Sequence, residues 1–449
     1  MRKLSVILLV SIFTAISLQA QDEGVKKPKF GIELSGFIKT DIFFDSRQVI
    51  TARQGHWLLY PANEKLDADG KDINAKWNYN ILSIQTRIAG SIWGPDVLGA
   101  RSSAYVEGAF FGNINPAINT FRLRQAFIKL NWKTTELLTG QTWHPMFSLD
   151  CFPGTVSFNT GAPFVVFTRN PQIRLTQKLG KFKLQLAALS QVDFVSTGPD
   201  GPNTKYLRNS VLPELDLQLQ FKTANNAMGT SIVIGAGIDF MMLTPRLATT
   251  VTTSPAYDTV INGIVEHVDA ITQDYKTNTK TSAFAYNFYT KLKFRPITIK
   301  LAAQYGGNNY SFTMLGGYAV KRITDSAKGY VDYANVRSCA VWGEIHTNGK
   351  HWQTGIFGGF TKNLGAGVTL YDKNNDPTDP EYLMYVRGAD IDYVWRVSPR
   401  LVYNIQKLRI AAEFEYTVAG YGTTTPKGYV SNPKAVGNVR ALLAFFYFF

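Results

Sequence analysis

The sequence predicts an all-β fold, namely a 16-stranded antiparallel transmembrane β-barrel with short periplasmic turns, long extracellular loops and an inward-folded third loop. Three observations support this fold. From residue 30 onward, apolar and polar residues alternate with a period of two, which places them on opposite faces of strands. The connections between these runs are alternately short and long, and the chain ends in an alternating apolar segment.

Each alternating run is one predicted strand. In one of them, Leu215, Leu217 and Leu219 alternate with acidic and amide residues. Sixteen such runs can be marked: 30–49, 78–93, 99–111, 120–132, 136–144, 166–178, 182–192, 212–222, 229–243, 281–294, 297–307, 337–347, 351–361, 389–405, 408–420 and 436–449.

The lengths of the connections indicate a membrane barrel. The seven tight connections are 94–99, 133–135, 179–181, 223–228, 295–296, 348–350 and 406–407. The eight long ones are 50–77, 112–119, 145–165, 193–211, 244–280, 308–336, 362–388 and 421–435. Short turns on one rim and long loops on the other are typical of outer-membrane barrels, whereas a soluble sandwich has no reason to separate loop lengths.

The C-terminal strand and the properties of lipid lead to the same fold. Ala441, Leu443, Phe445, Tyr447 and Phe449 share one face, and a terminal Phe of this kind resembles the assembly signal of bacterial outer-membrane barrels. In lipid every backbone polar group must be bonded internally, so amphipathic strands must close into a barrel. Sixteen strands enclose more space than side chains fill, which leaves an aqueous channel.

Composition excludes several other classes of protein. Of 449 residues, 45% are hydrophobic and 13% aromatic, which excludes a disordered chain, and two cysteines exclude a disulfide-dense scaffold. The apolar run Leu4 to Leu18 is too short for a membrane helix. With Arg2 and Lys3 before it, this run predicts a cleaved signal peptide over 1–20, the alternative being a retained membrane anchor. A short segment, 21–29, then precedes the barrel domain, 30–449.

The mature chain is basic, so we assigned each arginine to a face by strand parity. The arginines that parity turns inward are Arg87, Arg101, Arg174, Arg396, Arg400, Arg409 and Arg440. Arg122 and Arg124 share the parity of Ile128 and Leu130, so a luminal position requires a bulge or register change. We expect that position, because an arginine facing mid-bilayer lipid costs about 2–4 kcal/mol.

These arginines lie on strands that become neighbours when the barrel closes, so they are expected to form one continuous, one-sided wall. Guanidinium groups bind carboxylate or phosphate, and positive potential in a narrow tube concentrates anions. The alternative is a structural network in which acidic side chains neutralise the arginines. The candidate acids are Glu107, Asp216, Glu413 and Glu415.

The third long loop, 145–165, is too apolar to be fully exposed to solvent. We therefore predict that it folds into the barrel and sets the constriction through Phe147, Asp150 and Phe152. Asp150 is its only charge. The alternative is a loop that packs on the outer rim or on a neighbouring subunit.

Neither a cofactor nor a metal is implied by the motifs. The carboxylates of 67–72 and of 372–376 could suit calcium but lack the bidentate Glu of an EF-hand, which favours solvated loops. The five histidines are not spaced for zinc. Whether Cys151 and Cys339 pair is left open.

Three short motifs carry a resemblance to a known family: Arg122-Leu123-Arg124-Gln125-Ala126-Phe127, Gly140-Gln141-Thr142-Trp143 and Arg169-Asn170-Pro171-Gln172-Ile173-Arg174. They resemble the DcaP-like porins and, more distantly, the phosphate-selective porins O and P. The resemblance implies a trimer of 16-stranded barrels, an inward third loop and a preference for small anions such as dicarboxylates. It also implies that Arg122, Arg124, Arg169 and Arg174 lie near the eyelet, the narrowest section. Some members carry an N-terminal helical extension, for which 21–29 is too short.

The predicted function is a passive porin of a Gram-negative outer membrane that favours anions and performs no chemistry. The expected partners are outer-membrane lipid, small anionic solutes and two further copies of the chain, and nucleic acid is not expected. One alternative is a barrel hydrolase with a Ser-His-acid set, for which His144 and Asp150 are near in sequence. The other is an adhesin or ligand-binding barrel acting through loops 50–77 and 244–280.

Overall fold

The computed structural model of this chain is a closed barrel of sixteen antiparallel strands. It describes residues 30–112, 115–261, 264–376 and 378–449. The predicted signal peptide, 1–20, and the segment 21–29 lie outside the described residues.

The described strands in chain order are β1 (Gly31–Asp45), β2 (Val49–Ala52), β3 (Trp57–Pro61), β4 (Asn78–Leu82), β5 (Arg87–Trp93), β6 (Arg101–Ala109), β7 (Arg122–Asn131), β8 (Thr135–Trp143), β9 (Arg169–Leu179), β10 (Phe182–Leu189), β11 (Glu214–Asn225), β12 (Thr230–Leu243), β13 (Ala248–Ser254), β14 (Tyr257–Ile261), β15 (Ile264–Val268), β16 (Ile271–Lys276), β17 (Thr281–Lys293), β18 (Ile297–Gly306), β19 (Gly316–Asp325), β20 (Tyr330–Thr347), β21 (Trp352–Gly365), β22 (Met384–Arg387), β23 (Ile391–Ile405), β24 (Leu408–Thr424) and β25 (Val430–Phe448). The described helices are short: α1 (Lys205–Arg208) and the 3₁₀ turns Asn115–Ala117 and Tyr310–Phe312.

The barrel wall follows chain order, and β4 and β5 together form its second strand. The ring closes where Phe37 to Asp45 of β1 pair with Phe448 to Arg440 of β25. Each of the sixteen predicted strands is confirmed, with boundaries that differ by a few residues. The remaining strands form hairpins or extensions within the long loops, where sequence alternation had not been assigned to strands.

The tight turns are confirmed on one rim. Gly180 and Lys181, for example, are the only residues between β9 and β10, and Gly180 has φ +62. Glycine reaches this left-handed conformation without a steric penalty, which allows the chain to reverse within two residues.

The outer face of the wall is apolar and exposed. Ile38, Leu186 and Phe288 are 53%, 55% and 51% exposed, whereas Asp45 and Arg396 on the inner face are buried. This inversion of a soluble protein's pattern is what a barrel surrounded by lipid requires. Among the described residues, no helix is both long enough and apolar enough to cross a membrane.

The second strand corrects one expectation. The parity that turns Arg87 inward places Leu82 and Ile84 on the lipid face, but Ile84 is 4% exposed and packs in the luminal apolar cluster, with Leu82 against it. The wall strand is interrupted between β4 and β5, so Tyr79 and Ile81 face outward before the break and Ile88 after it. An offset of one residue exchanges the two faces of a strand.

The irregularity expected at Arg122 and Arg124 is confirmed. The ladder between β6 and β7 shifts register where Glu107 pairs with Gln125 and Gly108 with Leu123. Leu123 and Ile128, whose parities differ, are therefore both exposed on the outer face. The shift turns both arginines inward and keeps their charges out of lipid.

Part of the lumen is filled by protein. The β2–β3 hairpin and the third loop pack side chains inside the ring, so that every residue of β3 is buried. Trp57 makes edge contacts with Phe158, Phe167 and Phe194, at 5.6, 4.7 and 4.9 Å between ring centroids. The open space inside the ring is thus confined to what these loops leave.

We expect Arg440→Ala to weaken barrel closure. Arg440 donates from Nε and Nη2 to Asp45 at 2.9 and 2.6 Å across the β1–β25 seam, and both residues are buried. Removing the guanidinium leaves a buried carboxylate without its partner, which typically costs about 3–5 kcal/mol. The measurement is the thermal midpoint of the folded band on a gel.

Arg322→Ala is the matched control, since Arg322 pairs with Asp332 in an exposed hairpin. Its expected effect is below about 0.5 kcal/mol. Equal midpoints for the two variants would contradict this account of the seam.

Candidate functional site in the lumen

The third loop crosses the lumen and bonds to the opposite wall through its main chain. The N–H of Gly154 donates to Glu344, and those of Val156 and Ser157 donate to Glu413 at 2.7 and 3.0 Å. The inward fold is confirmed, and the alternative of a loop packed on the outer rim is wrong.

Cationic side chains of the wall hold carbonyl groups of the same loop. Lys300 Nζ donates to the carbonyl of Phe152 at 2.9 Å, and Lys39 Nζ donates to that of Val156 at 2.8 Å. Arg396 Nη1 donates to the carbonyl of Ala162 at 2.8 Å. Because these three side chains come from different strands around the ring, they anchor the loop to the wall on several sides.

The three predicted constriction residues separate into two environments. Phe147 is buried and stacks on Trp143 at 4.2 Å, so it supports the loop from within. Phe152 is 40% exposed, and Asp150 accepts from Lys222 Nζ at 2.8 Å and Gln220 Nε2 at 2.9 Å. Burial by itself would raise the pKa of Asp150, but these bonds outweigh it and lower the pKa.

Four arginines gather at one side of the lumen, and we call Arg53, Arg122, Arg124 and Arg169 the arginine cluster. The guanidinium groups of Arg53, Arg122 and Arg124 lie 4.7, 4.9 and 5.2 Å from the ring centroid of Phe111. Sequence reasoning missed Arg53, which lies between β2 and β3 and reaches the cluster because that hairpin folds inward. Its Nε donates to the carbonyl of Gly112 at 2.9 Å.

Two carboxylates partly neutralise the arginine cluster. Asp193 pairs with Arg122 at 2.7 Å and with Arg169, and Glu107 accepts from Arg124 Nε at 2.5 Å. Burial alone would raise the pKa of Asp193, but Arg169 and Arg122 outweigh it and lower the pKa to about 2. The acid therefore stays ionised at neutral pH, and the cluster with its two acids carries a net charge of about +2.

Three of the predicted arginines have a structural role in the wall. Arg396, Arg400 and Arg440 are all buried, and their guanidinium groups lie 3.6, 2.9 and 2.6 Å from carboxylates of Glu415, Glu344 and Asp45. At these positions carboxylates neutralise the arginines, as in the structural network considered from the sequence. The three arginines therefore do not form part of a continuous wall of unpaired charge.

Two of the acids named for that network bond to other groups. Glu413 accepts the main-chain N–H groups of the third loop. Asp216 accepts from Gln218 Nε2 at 2.9 Å.

The other four predicted arginines are more accessible. Arg174 lines a luminal cavity of about 220 Å³ with Asp150 and Lys183. Arg87 lies over the Phe37 ring at 5.1 Å, and Arg409 lies over Phe448 at 5.3 Å. Arg101 is exposed beside the turn between β5 and β6. The arginines thus form separate groups.

The cysteines and the loop carboxylates have simple environments. Both cysteines are free: Cys151 lies in the lumen near the carbonyl of Thr290, while Cys339 shares the outward parity of Val341. In the two acidic loops, Asp67 and Asp376 accept N–H groups of their own turns. These contacts agree with solvated loops.

His144 and Asp150, which were considered for a hydrolase, do not form a catalytic set. His144 is buried beside Glu214 and Asp239, whereas Asp150 bonds to Lys222.

The barrel is similar to those of several solved structures. The chain superposes on the outer-membrane channel DcaP of Acinetobacter baumannii with a TM-score of 0.63, covering 96% of this chain and 100% of that chain at 16% identity. The fold is that of the outer-membrane porins. OmpT of Vibrio cholerae, solved in its trimer form, gives a TM-score of 0.50 over 94% of this chain and 100% of that chain, at 10% identity.

The resemblance to the DcaP-like porins is therefore confirmed for the fold. No protein-family model matches the sequence, and no curated protein matches it.

We expect Glu344→Gln to loosen the third loop. Glu344 accepts from Gly154 and also pairs with Lys300 at 3.2 Å and Arg400 at 2.9 Å. Losing this charge leaves two buried cations unpaired, a change that typically costs about 3–5 kcal/mol. Single-channel recordings should show larger current fluctuations than in the parent protein.

Asp332→Asn is the control, because it removes a carboxylate from an exposed pair away from the lumen. Current fluctuations in Glu344→Gln equal to those of the parent protein would show that the loop does not depend on the Glu344 contacts.

Proposed function

We propose that the protein is a passive channel of the Gram-negative outer membrane that conducts small hydrophilic solutes and favours anions of the dicarboxylate or phosphate type. It performs no chemistry. The observation that carries the proposal is the arginine cluster beside the inward-folded loop, where three of the four guanidinium groups pair with two carboxylates and Arg53 adds a fourth positive charge.

The charge of the cluster acts through the low dielectric of its surroundings. Aromatic rings of Phe111 and Trp57 cover Arg53, which is 3% exposed, so water screens its charge poorly. Arg122 is more accessible, with 14% of its side chain exposed. An anion passing Arg122 would experience the field of the whole cluster, and this field disfavours cations.

A second group of cations would extend the path towards the periplasm. The cavity of about 220 Å³ next to the third loop is lined by Arg174, Lys178 and Lys183, with Glu136 and Asp150 as its acids. Several weak sites in series let a solute enter and leave, whereas one strong site would retain it. This arrangement suits passive diffusion.

The assembly that we propose is a homotrimer embedded in outer-membrane lipid. The support is the fold shared with OmpT of Vibrio cholerae, which was solved as a trimer, together with the exposed apolar outer face. Native mass spectrometry of the detergent-solubilised protein tests it, and a species of three chains is expected. A monomer that persists across mild detergents would contradict it.

The test of anion preference is the reversal potential of the purified protein in a planar bilayer under a KCl gradient. Arg122→Gln should lower the anion-to-cation permeability ratio about five- to thirty-fold, because the lost charge acts on the anion and, with opposite sign, on the cation. A unit charge about 8 Å from the permeating ion, at an effective dielectric constant of 40 to 80, contributes about 0.5–1 kcal/mol. Arg322→Gln, in the exposed hairpin, is the control and should leave the ratio unchanged.

Asp193→Asn should act in the opposite direction. It removes the carboxylate that Arg122 and Arg169 share and raises the net charge of the cluster by one. We expect a higher anion-to-cation ratio in the same recordings. Cation preference in the parent protein, or the same shift for both variants, would reject the arginine cluster as the selectivity element.

A further inference from the structure

Three side chains from distant parts of the sequence meet inside the wall, separate from the arginine cluster. They are His144, directly after β8, Glu214 at the start of β11 and Asp239 in β12. His144 Nε2 lies 3.4 Å from Glu214 Oε1 and 3.6 Å from Asp239 Oδ1. The three are 0%, 1% and 2% exposed.

The atoms that face each other lack hydrogen-bond partners. His144 Nε2, Glu214 Oε1 and Asp239 Oδ1 are all buried, and none has a hydrogen bond to any residue that the structure describes. The N–H of Met146 donates to His144 Nδ1 at 3.2 Å, and the edge of the imidazole packs at 5.2 Å on Phe312. These contacts hold the ring so that Nε2 is directed at the two carboxylates.

The charge around the imidazole is not balanced by the described residues. The ion pairs that the structure shows for Glu214 and Asp239 are both with His144. Asp216 pairs with Asp239 in the strand ladder and adds a third buried acid, whose Oδ1 is also without a partner. Arg174 is the cation near Asp216, and burying the other two carboxylates beside a single imidazole is costly, so this arrangement favours a bound positive ion.

We propose that His144, Glu214 and Asp239 bind a divalent transition-metal ion, with Zn²⁺ fitting the ligand set. The atoms that would bind it lie within 4.8 Å of one another. A tetrahedral ion with bonds of about 2.0–2.1 Å separates its ligands by about 3.3–3.4 Å, close to the two distances here. Imidazole nitrogen together with carboxylates suits Zn²⁺, whereas Ca²⁺ and Mg²⁺ prefer oxygen ligands alone.

The site borders the lumen and has a structural role. His144 lines the luminal cavity of about 220 Å³, which places the site next to a space that holds water and small ions. Since Nδ1 accepts a hydrogen bond, the neutral imidazole carries its proton on Nε2. Ion binding at Nε2 shifts that proton to Nδ1, so the ring stays neutral and the hydrogen bond from Met146 is lost. The ion would then tie the start of the third loop to β11 and β12.

The experiment measures zinc binding by the folded, detergent-solubilised protein after treatment with a chelator. Isothermal titration and elemental analysis after dialysis should give one Zn²⁺ for each chain and an increase in the thermal midpoint. His144→Ala should abolish binding, and the nearly isosteric Glu214→Gln should weaken it about tenfold or more. Heat-modifiable gel mobility establishes that each variant is folded.

His267→Ala is the matched control. His267 is an exposed histidine whose Nδ1 lies 2.6 Å from Asp258, so it represents adventitious binding by a surface imidazole and a carboxylate. The control should retain one Zn²⁺. The proposal is overturned if the parent protein takes up no zinc, if folded Glu214→Gln binds it as tightly as the parent, or if only His267→Ala loses it.

Discussion

Within lipid, every backbone polar group must find its hydrogen-bond partner in the protein itself, and this requirement shapes the whole barrel. Strands can meet it only if the sheet has no free edge, and the β1–β25 ladder removes the last one. Closure forces one face of every strand inward, so polar side chains become concentrated in a narrow space. The inward-facing positions of the strands therefore supply the charges of the lumen, and the loops that enter the lumen must pair with those charges.

Most of those charges serve the protein's own structure. Glu344, Glu413 and Lys300 hold the main chain of the third loop, and Arg396 bonds to carbonyl groups of both the third loop and the β2–β3 hairpin. Buried ions need partners, and an apolar loop with free backbone groups supplies them. On the proposed function, what remains for a solute is the excess charge at the arginine cluster and along the accessible cations near Arg174.

The fold could be predicted in detail because period-two alternation is a local signal. Even the bulge in β7 was predictable, since the lipid-facing alternative for Arg122 and Arg124 is energetically costly. The break between β4 and β5 was not, because Leu82, Ile84 and Ile88 share one parity in the sequence and nothing local marks a change of face between them. Arg53 was missed since nothing in its neighbourhood showed that its hairpin would turn into the barrel.

Local sequence patterns predicted the sixteen strands of the wall, the two faces of nearly all of them, the alternation of turns and loops, and the inward path of the third loop. Tertiary structure decided which arginines pair with carboxylates, how Asp193 joins Arg122 to Arg169, and that His144 meets Glu214 and Asp239. The two sets of features differ in how far apart in the sequence the residues that determine them lie. Strand alternation depends on neighbours two residues apart, whereas ion pairing across a lumen depends on barrel closure and on how the loops pack inside it.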